Sequence, residues 1–269
     1  MLEKLRAEVS AGRPIIGAGC SAGIVAKFAE RGGADLIICY STGRSRIMGL
    51  PTTRVGNSNV DTLAMYDEIA NVVDTTPIIA GIEGCDPTER RLPALVKKFH
   101  DKGFNGVINF PSVGDRPAYA AAREVVGLGL SREYELIRVA REFDMLTLGY
   151  AYSVEQGVGL TDAGVDVLVP HAGWTTGGAQ GSETASGART LDQTLEHVQA
   201  IVEACVSRRP ELICVCHGGS IAEPQDTRVV YERTQTVGFV GASSIERIPI
   251  ERAIEQTLVD FKSVPLATA

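Results

Sequence analysis

The sequence predicts a (β/α)8 TIM barrel, and three observations carry that prediction. Short runs rich in Val, Ile and Leu recur eight times along the chain, and longer segments with helical spacing separate them. The runs are apolar throughout and do not alternate, as strands covered on both faces require. Eight strands with intervening helices in roughly 250 residues match the size and order of such a barrel.

Taken in order, an amphipathic start (MLEKLRAEVS) precedes the first strand, Pro14–Gly17, and a helix is expected over Ser21–Arg31. Leu36–Tyr40 follows, then a long glycine-flanked loop and a helix over Val60–Val73. The third strand, Pro77–Ile82, leads to Pro87-Thr-Glu-Arg, where a proline at an early position opens a helix that runs through Leu95 and Phe99 to Gly103. Gly106–Asn109 precedes helices over Pro117–Val126 and Arg132–Phe143, and Met145–Ala151 and Val165–Pro170 are the next strands. Thr190-Leu-Asp-Gln193 is a capping box in front of Leu195–Ser207. Leu212–Val215 and Val237–Val240 complete the set, with a last helix over Pro249–Phe261. An open doubly wound sheet fits worse: Gly17-Ala-Gly19-Cys-Ser-Ala22 gives only part of a dinucleotide fingerprint, and no acidic residue ends the second strand to hold a ribose. With no linker or low-complexity stretch, residues 1–269 read as one domain.

Composition narrows the function. The 269 residues carry 26 Lys+Arg against 33 Asp+Glu, a formal charge of −7, without a dense basic run. Nucleic acid and anionic membrane, which both need a positive patch, are therefore not expected partners. No apolar run approaches the ~18 residues of a spanning helix, and no signal-peptide core follows the start, so a cytoplasmic location is expected. The six cysteines fall mostly in apolar stretches and read as reduced thiols.

A barrel builds its site at the C-terminal strand ends. His171 and His217 end the sixth and seventh strands, with Glu83 after the third, and two imidazoles with a carboxylate can divide acid and base roles or bind a metal. His217-Gly218-Gly219-Ser220 and Gly241-Ala-Ser243-Ser244 place small residues where amides can approach an anion, and Ile245–Ile248 leaves room for a short extra helix. Arg44 and Arg46 sit on the loop after the second strand, able to close over a carboxylate or phosphate. Asn109 and Tyr152 follow the fourth and fifth strands. Cys20, before a helix start, is a reserve nucleophile. Cys214 and Cys216 share one strand face while His217 takes the other, which argues against a Cys-x-Cys zinc site. The segment from His171 to Arg189 is longer than a barrel loop needs, consistent with a lid or an inter-subunit arm.

Pro14-Ile-Ile-Gly-Ala-Gly-Cys-Ser-Ala-Gly23, the Arg44–Asn59 loop with Gly49-Leu-Pro-Thr-Thr, Val169-Pro-His-Ala-Gly-Trp-Thr175 and Cys216-His-Gly-Gly219 together resemble the phosphoenolpyruvate hydrolase-like family, also called TIM-barrel signal-transduction proteins. The likeness covers nearly the whole chain and implies a barrel of the phosphoenolpyruvate/pyruvate superfamily acting on a small anionic 2-oxo acid or related carbonyl compound. A divalent metal is compatible with it, either Mg²⁺ through water or a His-liganded Zn²⁺ or Mn²⁺, and no organic cofactor is expected. The acidic cluster that holds Mg²⁺ in better-known superfamily members is not matched here, nor is the Lys-Lys-Cys-Gly-His loop of its lyases.

The expectation is a hydrolase or lyase that cleaves a C–C, C–P or enol-phosphate bond. His171, His217, Glu83 and Cys20 are its candidate catalytic groups; Arg44, Arg46, Asn109, Tyr152, Gly218, Gly219, Ser243 and Ser244 are candidate binding groups. The alternative is a metabolite sensor working with a nucleotide-binding partner protein. A homo-oligomer is expected in either case, with Trp174 as an interface anchor.

Overall fold

Apolar runs buried on both faces pair in parallel, so the chain alternates strand and helix from end to end. The computed structural model describes residues 1–179 and 189–266. In order, the elements are α1 (Leu2–Ser10), β1 (Ile15–Gly19), α2 (Gly23–Arg31), β2 (Leu36–Cys39), α3 (Thr42–Ile47), α4 (Ser58–Ala70), β3 (Ile78–Gly81), α5 (Leu92–Lys102), β4 (Gly106–Ile108), α6 (Pro117–Glu124), α7 (Leu130–Glu142) and β5 (Leu146–Ala151). They continue with α8 (Val154–Asp162), β6 (Val167–Pro170), α9 (Leu191–Val206), β7 (Ile213–Cys214), β8 (Cys216–His217), α10 (Pro224–Arg233), β9 (Gly238–Gly241), a π-helical turn (Ser243–Arg247) and α11 (Ile248–Ser263).

All the pairings are parallel, and the sheet order is β7-β6-β5-β4-β3-β2-β1-β9-β8. The seventh apolar run splits around Val215: Ile213 and Cys214 pair with β6, whereas Cys216 and His217 pair with β9. Its two halves thus join the two ends of the sheet. Tilted barrel strands are staggered in height, so one short strand meets its two neighbours at different levels. The eight expected strands are all present, the seventh as two pieces.

Residues alternate between two cores. Ile38, Ile79, Ile108, Leu148, Val169 and Val215 point inward, and Leu5 of α1 joins them, so the amphipathic start closes one end of the barrel. Ile37, Ala80, Val107, Leu168 and Cys214 point outward against helix residues such as Phe99, Leu136 and Val198. Cys216 lies in the outer core while His217 turns inward, as the strand alternation requires. All six cysteines are buried and free.

Differences from the expected helices have local causes. α5 begins at Leu92 and not near Pro87, because Asp86 accepts the Thr88 amide at 2.8 Å and its hydroxyl at 2.7 Å and folds that stretch into a turn. The loop carrying Arg44 and Arg46 begins with α3, which the spacing did not suggest. α8 is capped by Ser153, and α10 by reciprocal bonds between Glu223 and Asp226. α9 starts at the expected Thr190 capping box. α11 leaves the barrel surface, and its Ile254, Leu258 and Phe261 are exposed. No helix among the described residues is long and apolar enough to cross a membrane.

Candidate active site

Each strand delivers its last side chain to the same rim, and there the two strand-end histidines meet. The rings of His171 and His217 lie 4.5 Å apart, centroid to centroid. Tyr150 packs edge-on to His171 at 5.0 Å and tilted to His217 at 5.0 Å, while Tyr152 stacks on His171 at 4.4 Å. A small cavity of about 20 Å³, room for little more than one water, is enclosed by this pair together with Tyr40, Arg46, Trp174 and Ser243 among others.

Backbone partners fix the two imidazoles in opposite senses. His217 Nδ1 lies 2.6 Å from the Val240 carbonyl, so this nitrogen carries the proton and Nε2 keeps a lone pair. His171 Nδ1 accepts the Gly173 amide at 3.1 Å, which places the proton of the neutral ring on Nε2. Burial lowers both pKa values: His217 is pulled down to about 4, and His171 lies well below the ordinary value, with His217 adding to the effect. Side by side stand a neutral acceptor and a neutral donor.

Other expected residues occupy different places. Glu83 is brought to the rim but not to the histidines; Arg54 contacts it at 2.5 Å, and burial raises its pKa against that neighbour's pull. Arg46 is committed to Glu246 at 2.7 Å, both side chains all but completely buried, so it floors the cavity and does not close over it. Arg44 points to solvent and pairs with Asp61 at 2.8 Å. Asn109 braces the backbone, accepting the Tyr150 amide at 2.7 Å and donating to Glu133 at 2.6 Å. Cys20 is buried in the outer core, and burial, then the Glu246 charge, raise its thiol far above the nucleophilic range, which removes the reason for reserving it as a nucleophile.

The expected anion cradle is only partly available. Gly218 and Gly219 both have positive φ, +75° and +60°, and a Cβ on Gly218 would clash with the Gly173 carbonyl oxygen. The Gly219 amide is already given to Gly173 at 2.8 Å. The extra helix is the π-helical turn Ser243–Arg247, and it carries its own anion: Glu246 accepts the Ser21 amide at 2.7 Å and pairs with Arg46. Ser243 lines the cavity, and the buried Ser244 hydroxyl has no hydrogen-bond partner among the described residues. Residues 180–188 of the expected lid lie outside the described residues.

Beside the histidines opens a pocket of about 510 Å³ that spacing did not disclose. Arg54, Arg116 and Arg123 line it against Glu83 and Asp115, leaving a positive balance, with Tyr152 and Trp174 at its inner end. A second undisclosed residue is Glu133 on α7, wholly buried, which accepts the Val113 amide at 2.8 Å and the Ser112 hydroxyl at 2.8 Å. Burial outweighs these donors and raises its pKa to about 7. It anchors the segment after β4 that forms one wall of this pocket.

These shifts make a testable pH profile. An unfolded imidazole takes up a proton near pH 6.5 whereas folded His217 waits until about 4. The unfolded state therefore binds more protons in that window, and stability falls as pH drops through it, by about 1.4 kcal/mol per unit per histidine. Glu133 acts in the opposite sense: between its ordinary 4.5 and about 7 the folded chain holds the extra proton, so its contribution is lost as pH rises. Glu133→Gln is expected to steepen the rise of stability between pH 4.5 and 6.5, and His217→Asn to flatten it; urea midpoints across the window measure both.

A divalent metal finds no ligand set in the described part of the chain. Among the described residues no group of three His, Cys, Asp or Glu side chains converges. Glu83 is tied to Arg54 and Glu246 to Arg46; Asp86 is tied to Asn57, Asn59 and Thr88. Carboxylates so engaged do not fit a hard cation's oxygen shell.

The fold is shared with solved structures. One of phosphonopyruvate hydrolase in complex with oxalate and Mg²⁺ superposes with a TM-score of 0.66 at 18% identity, covering 97% of this chain and 86% of that one. One of oxaloacetate acetylhydrolase in complex with the product oxalate gives 0.62 at 15% identity, covering 100% and 89%. In sequence, the ToMV resistance protein Tm-1(GCR237) of Solanum lycopersicum is 39% identical over 272 residues, 99% of this chain. The ToMV susceptible protein tm-1(GCR26) of the same plant is equally similar, and the chain spans 36% of the length of each. The phosphoenolpyruvate hydrolase-like family model matches residues 1–264, and the chain belongs to that family.

Proposed function

We propose that the chain is a hydrolase or lyase that cleaves a bond next to a carbonyl in a small 2-oxo acid or its enol phosphate. The observation that carries this reading is the histidine pair, one neutral acceptor and one neutral donor held 4.5 Å apart in a buried cavity at the barrel mouth. Cleavage beside a carbonyl moves an electron pair onto its oxygen and needs a proton removed at one atom and stabilisation at another. For hydrolytic C–C cleavage, His217 Nε2 takes a proton from the attacking water while the carbonyl oxygen, as charge builds, accepts from His171 Nε2–H. When the C–C bond breaks, the proton on His217 passes to the departing carbon and both rings return to neutrality. Tyr150, whose pKa burial raises well above the ordinary value, stays a protonated neighbour throughout. The substrate carboxylate would rest in the positive pocket against Arg123, which has no carboxylate partner among the described residues, beside Arg54 and Arg116, which pair with Glu83 and Asp115.

The first test is calorimetric titration with oxalate, pyruvate, oxaloacetate and phosphoenolpyruvate, followed by product analysis of the acids that bind. Saturable binding with turnover of at least one supports the proposal, and no binding by any of them overturns it. A second reading has its own support, since the tomato relatives bear resistance and susceptibility names and are far longer than this chain. Here the same pocket would hold the acid as a signal for a partner protein that binds nucleotide. Binding without product after prolonged incubation would favour it.

A further inference from the structure

A pocket of about 760 Å³, larger than the arginine-lined one, adjoins it and reaches His171. His171, Tyr152 and Trp174 line it; the latter two, with Asp115 and Arg116, also line the arginine pocket, so the two share a wall beside His171. Away from that wall its surface changes character. Pro117 and Ala121 of α6 with Leu130 and Tyr134 of α7 give it an apolar side, continued by the buried Ala120. The charges that line it have partners: Arg116 pairs with Asp115 at 3.3 Å, Glu155 accepts the Ser153 hydroxyl at 3.2 Å, Glu124 accepts the Ser131 amide at 3.1 Å and Arg189 donates to the Ala172 carbonyl at 3.1 Å. A pyruvate-sized acid, held by the arginines with its carbonyl at the histidines, would leave this space to water.

We propose that the substrate is a 2-oxo acid with a branched or aromatic apolar substituent, seated in this second pocket between α6 and α7. The inference rests on the assignment of the histidine pair as the reaction centre. The carboxylate and the substituent leave the carbonyl carbon in different directions, and the two pockets diverge from the shared wall of Tyr152 and Trp174, of which Tyr152 stacks on His171. Burying apolar surface that water would otherwise cover tightens binding roughly fourfold for each methylene. A volume of several hundred Å³ beside a few directed polar groups is the usual form of a small-molecule site.

The test is calorimetric titration of the wild type and of Ala121→Trp with pyruvate, 2-oxo-4-methylpentanoate and phenylpyruvate. Ala121 is an exposed position of α6, so the larger ring fills the pocket without entering the core. On the wild type the branched and aromatic acids are expected to bind at least tenfold more tightly than pyruvate. Ala121→Trp is expected to erase that advantage and leave pyruvate unchanged; Ala121→Leu, a smaller intrusion, should erase part of it. Pyruvate binding as tightly as the larger acids, or an advantage that survives Ala121→Trp, overturns the substituent pocket while leaving the proposed function standing. Failure of all three acids to bind overturns the substituent pocket, and failure of oxalate, oxaloacetate and phosphoenolpyruvate as well overturns both.

Discussion

His217→Ala is expected to lower kcat/KM for the acid that the chain turns over by about 10²- to 10⁴-fold, with His171→Ala of similar size. The loss should fall on kcat, because the arginine pocket, which neither residue lines, still holds the carboxylate. His217→Gln is the sharper control, since a polar side chain of similar length fills the space without a base of useful pKa. The pH profile adds a second readout. A His217 held at about 4 stays neutral through the ordinary range, so the acid limb of kcat/KM should appear near pH 4 and not near 6.5. Because the rings are 4.5 Å apart, the double variant should lose much less than the product of the two single losses. Turnover unchanged in both single variants would remove the histidine pair from the reaction.

How much of this was legible in the sequence follows from the range over which each feature is determined. The strands were legible because two-sided burial makes each of them a continuous apolar run. Strand alternation also sufficed to turn His217 inward and Cys214 and Cys216 outward. What each histidine does was not legible, since its tautomer is set by the Val240 carbonyl and the Gly173 amide, which carry no side-chain signal. Arg46 and Glu246 are 200 positions apart, so the arginine that its loop offered to a substrate anion turns out to serve a carboxylate of the chain itself. Arg54 lay inside the loop that contained Arg44 and Arg46, and only the path of that loop selects it. Glu133 had a signal: it sits on the helix face of Leu130, Leu136, Ile137 and Ala140, where a carboxylate can remain only if protein donors meet it.

That same logic of compensated burial predicts the largest change in stability. The Arg46 and Glu246 side chains are 1% and 0% exposed, and their charges meet at 2.7 Å. Glu246→Gln keeps the shape but leaves the guanidinium buried without a counter-charge, so the chain is expected to lose about 3–5 kcal/mol of unfolding free energy. Ser21 gives the effect a second component, since Glu246 also accepts its amide and hydroxyl and so ties the end of β1 to the turn after β9. Urea denaturation measures the loss. Arg46→Met with Glu246→Gln removes the stranded charge and should recover a large part of it, because replacing both members of a buried pair costs far less than breaking it. The double variant also tests what the pair does for the site. Arg46 floors the cavity beside His217 and lies over Tyr40 at 5.6 Å, so its charge is felt there even when neutralised by Glu246. Recovered stability with depressed turnover would make the pair a positioning device for the reaction centre. Recovered stability with full turnover would confine it to holding the last turn of the barrel against the first, and a Glu246→Gln loss below about 1 kcal/mol would mean that water reaches the guanidinium after all.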